Sequence, residues 1–357
     1  MLPYRGAMSQ QTAEQFAERL FQASLGTVEV LSAYLGDRLG WYRALADGGP
    51  ATPAELVARA GGAERYAREW LEQQASFGIL TVEDGRFTLP AGAAEVLTDE
   101  RSLSYLAPLA RMFGAAAIQL PGLLEAYRTG GGVGWAAYGT DMRESQADMN
   151  RPWFSTMLPD ALAGVADLHA MLGRPGARIA DIGCGGGWST IALAKAYPLA
   201  RLEGVDIDAP SVELARRNAA EAGVADRVTF HHGDAAGLEA GGYDAGFAFE
   251  CVHDMPRPVE VLAAIRRAVA PGAPVVIMDE AVQDAFQAPG DEVERLMYGF
   301  SLLICLPDGM AHQPSAGTGT VMRPATLKGY AQDAGFADLE ILPIEDFGFW
   351  RFYRLTH

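Results

Sequence analysis

The chain has 357 residues, 49% of them hydrophobic and 20% charged, with a formal net charge of −17. That length suits two domains, or three if one is small, and so negative a field works against gripping nucleic acid or an anionic membrane. No apolar run nears the roughly 18 residues that cross a bilayer, Leu302 to Leu306 being the best, and the opening MLPYRGAMSQQTAEQ lacks the apolar stretch of a secretory signal, so a cytoplasmic location is expected.

From Thr12 to Leu39 apolar residues recur at helical spacing through Phe16, Leu20, Leu25, Val28, Leu31 and Leu35, predicting one or two helices. A short helix then ends at Asp47-Gly48-Gly49. Thr52, Pro53 and Glu55 form a capping box with proline as the first helical residue. Gly61-Gly62 stops that helix, and a third runs from about Ala63 to Phe77. Two short strands, Leu80 to Glu83 and Arg86 to Leu89, flank an Asp84-Gly85 hairpin turn. Three helices and a two-stranded wing over residues 1–100 predict a winged-helix-like domain. Residues 101–170 read as mostly helical, broken by glycines from Gly130 to Gly134. From Arg178 onward strands alternate with helices, which predicts an α/β domain over 171–357 with a parallel sheet. Its strands are placed at Arg178 to Ile182, Arg201 to Asp206, Arg227 to His231, Ala245 to Glu250, Pro274 to Asp279, Asp338 to Pro343 and Phe349 to Leu355.

The first of these strands runs into DIGCGGGWST, Asp181 to Thr190. Glycine lets a backbone turn this tightly and lie flat against a ligand. The G-x-G-x-G spacing of Gly183, Gly185 and Gly187 differs from the G-x-G-x-x-G of dinucleotide folds, and Asp181 stands two residues before the first glycine. The second strand ends in GVDID, where Asp206 can accept two ribose hydroxyls. The third is followed by GDA, where Asp234 can accept from an adenine amino group. Three acids at successive strand ends define one crevice that suits a sulfonium cofactor with an ammonium group rather than a pyrophosphate.

The stretch from Arg178 to Glu280 resembles the class I S-adenosylmethionine-dependent methyltransferases. The whole chain resembles two-domain small-molecule enzymes of that class with an N-terminal winged helix, the plant-type O-methyltransferases and bacterial natural-product methyltransferases. The resemblance implies a seven-stranded Rossmann-like sheet, S-adenosyl-L-methionine as cofactor and S-adenosyl-L-homocysteine as product. It implies that Gly183, Cys184 and Gly185 lie against the methionine part, that Asp206 holds the ribose, that Ile207 packs on the adenine and that Asp234 and Ala235 flank it. It also implies a homodimer formed through the N-terminal domain. In FAFECVHDMPRPVEVL, His253-Asp254 occupies the place of the family's His-Asp pair, although Met255-Pro256-Arg257 stands where Trp-Asp-Asp is common. His253 is the candidate general base, since an imidazole of pKa about 6.5 suits proton abstraction, with Glu250 and Asp254 to orient it; Glu250 is also a candidate for the cofactor. Asp279 and Glu280 offer a second acid. Substrate contacts are expected from Tyr138, Trp153 and Met157 and, in a lid insertion over 285–325, from Met297, Tyr298 and His312; Arg143, Arg151 and Arg323 are candidates for an anionic group.

The expected activity is methyl transfer to a small organic molecule, with oxygen favoured over nitrogen and carbon, and with neither nucleic acid nor membrane as partner. Three rivals remain, one of them a member that has lost catalysis and only binds cofactor or scaffolds a complex, against which the intact glycines and acids speak. A winged helix invites a cofactor-sensing transcriptional regulator, but the presumed recognition helix mixes Arg65 and Arg68 with Glu64, Glu69 and Glu72 instead of showing a positive face. The widely spaced Cys184, Cys251 and Cys305 invite a metalloid methyltransferase, yet they read as buried small hydrophobes, and no metal site is expected.

Overall fold

A computed structural model describes residues 12–238 and 241–357; residues 1–11, within the segment inspected for a secretory signal, lie outside it. The chain divides after Gly114 into two compact units. The first carries α1 (Ala13–Arg38), α2 (Trp41–Gly48), α3 (Pro53–Ala60), α4 (Glu64–Ser76), the wing strands β1 (Thr81–Glu83) and β2 (Arg86–Thr88) and α5 (Ala91–Thr98), with α6 (Ala107–Ile118) running across the boundary. The Thr52–Glu55 capping box forms at the start of α3 with Pro53 in the first turn. Asp84 and Gly85 both take positive φ, the backbone that a two-residue hairpin of matching twist requires. Trp41, Tyr42, Leu45, Leu56, Trp70 and Leu71 fill the core, each large apolar side chain contributing about 1.5–3 kcal/mol by leaving water. Gly36 is the residue of α1 buried here, because a Cβ on it would stand 2.3 Å from the Trp70 ring. Along the rest of α1, Phe16, Leu20, Phe21, Val28, Leu31 and Leu35 are exposed. In α4, Arg65 pairs with Glu69 and Arg68 with Glu64, so its positive charges are answered on the same helix.

The second unit opens with α7 (Leu120–Thr129), α8 (Trp135–Thr156), α9 (Leu158–Ala163) and α10 (Ala166–Leu172). Its alternating part runs β3 (Arg178–Ile182), α11 (Trp188–Ala196), β4 (Arg201–Asp206), α12 (Ala209–Glu221), β5 (Val228–His232), β6 (Ala245–Phe249), α13 (Pro258–Ala268) and β7 (Val275–Glu280). The insertion forms α14 (Glu292–Phe300), a π turn (Ser301–Cys305) and α15 (Leu306–Met310); α16 (Pro324–Asp333), β8 (Asp338–Ile341) and β9 (Trp350–Thr356) follow. The sheet has the order β5-β4-β3-β6-β7-β9-β8, parallel except for β9, which runs antiparallel to both of its neighbours. Residues 115–170, expected as part of a separate helical segment, belong to the α/β unit, where α8 and α9 pack on α11. Strand order reverses between β3 and β6, and open parallel sheets bind ligands beyond the strand ends at such a switch.

The insertion is fastened to the start of α8. Val133 N–H donates to Pro307 O at 2.9 Å, Trp135 N–H to Asp308 Oδ1 at 2.7 Å, and the Tyr138 hydroxyl to Leu303 O at 2.7 Å. Gly132 makes this approach possible, since a Cβ there would lie 2.2 Å from Ala311 N and Pro307 O. Among the described residues no helix is long and apolar enough to cross a membrane.

Candidate active site

At the switch between β3 and β6 the chain leaves β3 through Gly183, Cys184 and Gly185 and enters α11 from Gly187, all three glycines at positive φ. A Cβ on Gly183 would meet Cys251 Sγ at 2.6 Å, so that glycine is needed for packing beneath the turn. A Cβ on Gly185 would meet nothing within 4 Å. Beside this turn is a cleft lined by Gly183 to Gly186, Trp188, Ser189, Ser211, Phe249 and Glu250, and on the facing helix α8 by Trp135, Arg143, Gln146, Ala147, Asn150 and Phe154.

The acids are held in different ways. Asp181 is buried under the turn, its Oδ2 accepting from the Ser189 and Thr190 hydroxyls at 2.6 and 2.5 Å while Oδ1 has no partner. Burial pushes its pKa up to about 6. Asp206 accepts from Gly185 N–H and Asp208 N–H, both at 2.8 Å; burial raises its pKa as well. A carboxylate has about four acceptor sites, so two remain for ribose hydroxyls. Ile207 is 69% exposed beside it, an apolar surface open to a flat ring. Asp234 is exposed, pairs with Arg257 Nη2 at 2.9 Å and caps Ala236 N–H; Ala235 follows it in a 3₁₀ turn.

Glu250 takes a left-handed backbone, φ 55°, unusual outside glycine. Its carboxyl accepts from Asn150 Nδ2 at 2.5 Å and Gln146 Nε2 at 3.2 Å, and removal from solvent raises its pKa to about 7. His253, three residues on in the 3₁₀ turn Val252–Asp254, is 2% exposed. Its Nδ1 faces Asp279 Oδ1 at 2.8 Å and Glu280 Oε2 at 3.1 Å, and its Nε2 faces Asp254 Oδ1 at 3.1 Å. Burial alone would discharge the ring, but Asp254, Asp279 and Glu280 outweigh it and hold the imidazole pKa well above its usual value. The residues at the turn fit the cofactor that the sequence implies: the turn is clear on the side of Gly185, Asp206 has acceptor capacity to spare, and an acid, Glu250, lines the cleft.

Residues 179–272 match the family described as a methyltransferase domain, and residues 27–99 match an Rv2258c-like winged HTH domain. A 173-residue stretch, 48% of this chain, is 30% identical to a ubiquinone biosynthesis O-methyltransferase of Aromatoleum aromaticum and covers 68% of that protein. This chain belongs to the S-adenosylmethionine-dependent methyltransferases. A second relative, the 27-O-demethylrifamycin SV methyltransferase of Amycolatopsis mediterranei, is 32% identical over 168 residues, which span 46% of this chain and 60% of that protein. Solved structures share the fold over nearly the whole length. The mitomycin 7-O-methyltransferase MmcR superposes with a TM-score of 0.71 at 21% identity, covering 96% of this chain and 97% of that one. Human N-acetylserotonin methyltransferase, solved in complex with SAM, gives 0.71 at 17% identity, covering 98% and 99%. The cofactor of the methyltransferase is S-adenosyl-L-methionine.

Of the sequence candidates, Gly183, Cys184, Gly185 and Glu250 line the cleft. The residues chosen for the substrate do not. Tyr138 is buried with its hydroxyl on the insertion, and Trp153 packs against Phe347 and Trp350. Met157 lies against the sheet core, Met297 is 1% exposed, Tyr298 receives a hydrogen bond from Arg323, and His312 is exposed on the surface. Tyr138 and Met297 are large apolar side chains that the core took, Trp153, Met157 and Tyr298 are partly buried, and His312 faces solvent. Arg143 does line the cleft, but its guanidinium is held by the Asp208 carboxylate at 2.6 and 3.0 Å; Arg323 is held by Glu294. The three thiols stand apart: Cys251 Sγ donates to Ile182 O, Cys184 Sγ approaches Gly204, and among the described residues the potential metal groups include only Cys305. The metalloid reading therefore loses its three-thiolate site. Sequence reasoning missed Gln146 and Asn150, the amides that hold Glu250.

Proposed function

We propose that this methyltransferase alkylates a hydroxyl oxygen of a small organic molecule, with nitrogen and carbon acceptors as alternatives. The observation that carries the reading is the position of Glu250 and the His253–Asp254 pair just beyond β6, beside the glycine turn that receives the cofactor. Two of the relatives described above are O-methyltransferases by name. The cofactor supplies an electrophilic methyl group on a sulfonium that is itself an excellent leaving group. The chain supplies alignment, a contribution of roughly 7–11 kcal/mol where both partners are fixed. Asp206 orients the ribose, Ile207 covers the adenine beside Asp234 and Ala235, and Glu250, steadied by Asn150 and Gln146, receives the cofactor's ammonium group. In the His253–Asp254 pair the Asp254 carboxylate, the more exposed of the two, takes the proton of the acceptor, while the ring that its neighbours keep protonated stays as its charged partner, fixed through Nδ1 by Asp279 and Glu280. The insertion around α14 and α15 closes over the acceptor.

His253→Ala tests the proton role by separating binding from turnover. Calorimetry should show nearly unchanged affinity for S-adenosylmethionine, while methyl transfer to a panel of phenols, followed by mass spectrometry, falls by about 10²–10⁴-fold. Equal turnover in the variant would mean that positioning alone drives the reaction.

We further propose that the N-terminal winged unit serves assembly of a homodimer. The exposed apolar stripe of α1 supports this, because Phe16, Leu20, Val28, Leu31 and Leu35 leave a continuous face for a second copy to cover.

A further inference from the structure

Inside the cleft α8 lies directly against the glycine turn, since a Cβ on Gly186 would stand 2.7 Å from Ala147 Cβ. On either side of Ala147, Gln146 and Asn150 turn their side-chain amides to Glu250. Trp188, the first residue of α11, stands on the facing wall. Among the described residues neither Asn150 Oδ1 nor Trp188 Nε1 has a hydrogen-bond partner, and both atoms are closed to solvent. Asn150 is 8% exposed, and its Nδ2 is committed to the Glu250 carboxylate at 2.5 Å. An ionised carboxylate only accepts, so the amide atom left over is the carbonyl oxygen. The indole nitrogen of Trp188, by contrast, only donates. Arg151 fixes the plane of that ring, its guanidinium carbon 4.3 Å from the ring centroid. The Trp188 backbone opens a helix of 9 residues, whose first turn carries the positive end of the helix dipole and suits an anion. One wall therefore presents two acceptors, Glu250 and Asn150 Oδ1, and the other a donor at a helix start. Buried polar groups are ordinarily paired, and this set matches a ligand that carries both a cation and an anion.

We propose that this part of the cleft is a clamp for the α-amino-acid end of S-adenosylmethionine, in which Asn150 Oδ1 shares the ammonium group with Glu250 and the Trp188 indole N–H donates to the carboxylate. This deepens the assignment above and rests on it. An ammonium group has three N–H donors; one goes to Glu250 and one to Asn150. Asn150 thus has two tasks, holding the acid through Nδ2 and meeting the ligand through Oδ1. Holding both charged groups at once fixes the methionine Cα, and with it the direction of the sulfonium methyl. The clamp reads charge: a ligand that keeps the adenosine and the sulfur but lacks one of the two groups leaves a buried polar atom of the protein unpaired, which is costly.

The test is calorimetry on the full-length protein with S-adenosyl-L-homocysteine, its decarboxylated analogue, and 5′-methylthioadenosine, which lacks the whole amino-acid end. The wild type should bind the first at least about tenfold more tightly than the second, because hydrogen bonds to a charged group are lost. It should bind the second more tightly than the third. Trp188→Phe keeps an aromatic ring beneath Arg151 and removes only the N–H. It should weaken S-adenosyl-L-homocysteine about 10–100-fold and leave the other two ligands unchanged. Asn150→Leu should weaken both ligands that carry the ammonium group and spare 5′-methylthioadenosine. A Trp188→Phe protein that binds S-adenosyl-L-homocysteine as the wild type does, or that loses all three ligands equally, overturns the carboxylate contact. A wild type that binds S-adenosyl-L-homocysteine no more tightly than 5′-methylthioadenosine overturns the clamp without any variant and leaves the methyltransferase standing. Failure of the wild type to bind any of the three would instead remove the functional assignment itself.

Discussion

At Asp181 a carboxyl group lies out of reach of water and is answered by two hydroxyls from the first turn of α11, with one oxygen left over. Its pKa of about 6 in the folded chain stands about two units above the unfolded value. The folded state therefore holds the proton more tightly, and stability falls as pH rises from about 4 to about 6, by roughly 3 kcal/mol in all. Asp181→Asn lacks this titration. Its stability relative to the wild type should rise by up to that amount between pH 4 and pH 8 in denaturant melts, and a pH-independent difference would contradict the assignment. Asp206 behaves differently, because it keeps acceptor capacity beyond the Gly185 and Asp208 amides. Asp206→Ala should weaken S-adenosylmethionine binding by a few kcal/mol, since charge-assisted hydrogen bonds of about 1.5–3 kcal/mol each are lost; calorimetry reads this directly. Both acids were legible in the sequence because strand ends and glycine spacing fix the backbone around them. The environment of His253 was not, since Asp279, Glu280 and Cys305 reach it only through tertiary folding.

Helix α8 shows what periodicity offers and where it was obscured. Arg143, Gln146, Ala147, Asn150 and Phe154 recur at three- and four-residue spacing and line the cleft as one stripe. Gly139 breaks the helix with φ 75° and ψ −162°, and Pro152 lies within it, so the segment read as an aromatic-rich patch instead of a face. Trp153 falls off that stripe and turns to Trp350. The strands of the sheet fall within a residue or two of their expected positions, because near-continuous apolar runs between glycine turns leave few alternatives. The contact between the glycine cluster and α15 had no sequence signal. It yields a prediction: Gly132→Ala places a methyl group on backbone atoms that cannot step aside. The fastening of α15 to α8 should weaken by about 1–3 kcal/mol, as overpacking generally does, and faster hydrogen exchange at the Val133 and Ala311 amides would report it.

For the whole molecule the charge of −17 and the apolar face of α1 pull in opposite directions. Like-charged copies repel at long range, yet a 26-residue helix with this many uncovered apolar side chains favours a partner at contact. The pair Leu20→Glu and Leu31→Glu should convert the dimer into a monomer by light scattering without unfolding the winged unit, whose core lies on other residues. A wild-type protein that is monomeric at every concentration would defeat the proposal. The position of β9 has a further consequence for biosynthesis. Phe352, Tyr353 and Leu355 are at most 1% exposed, and their strand separates β7 from β8. While the ribosome is still translating codons before Trp350, β7 has an unpaired edge and β8 has nothing to join. The nascent chain thus presents an unpaired strand edge until β9 itself has been made.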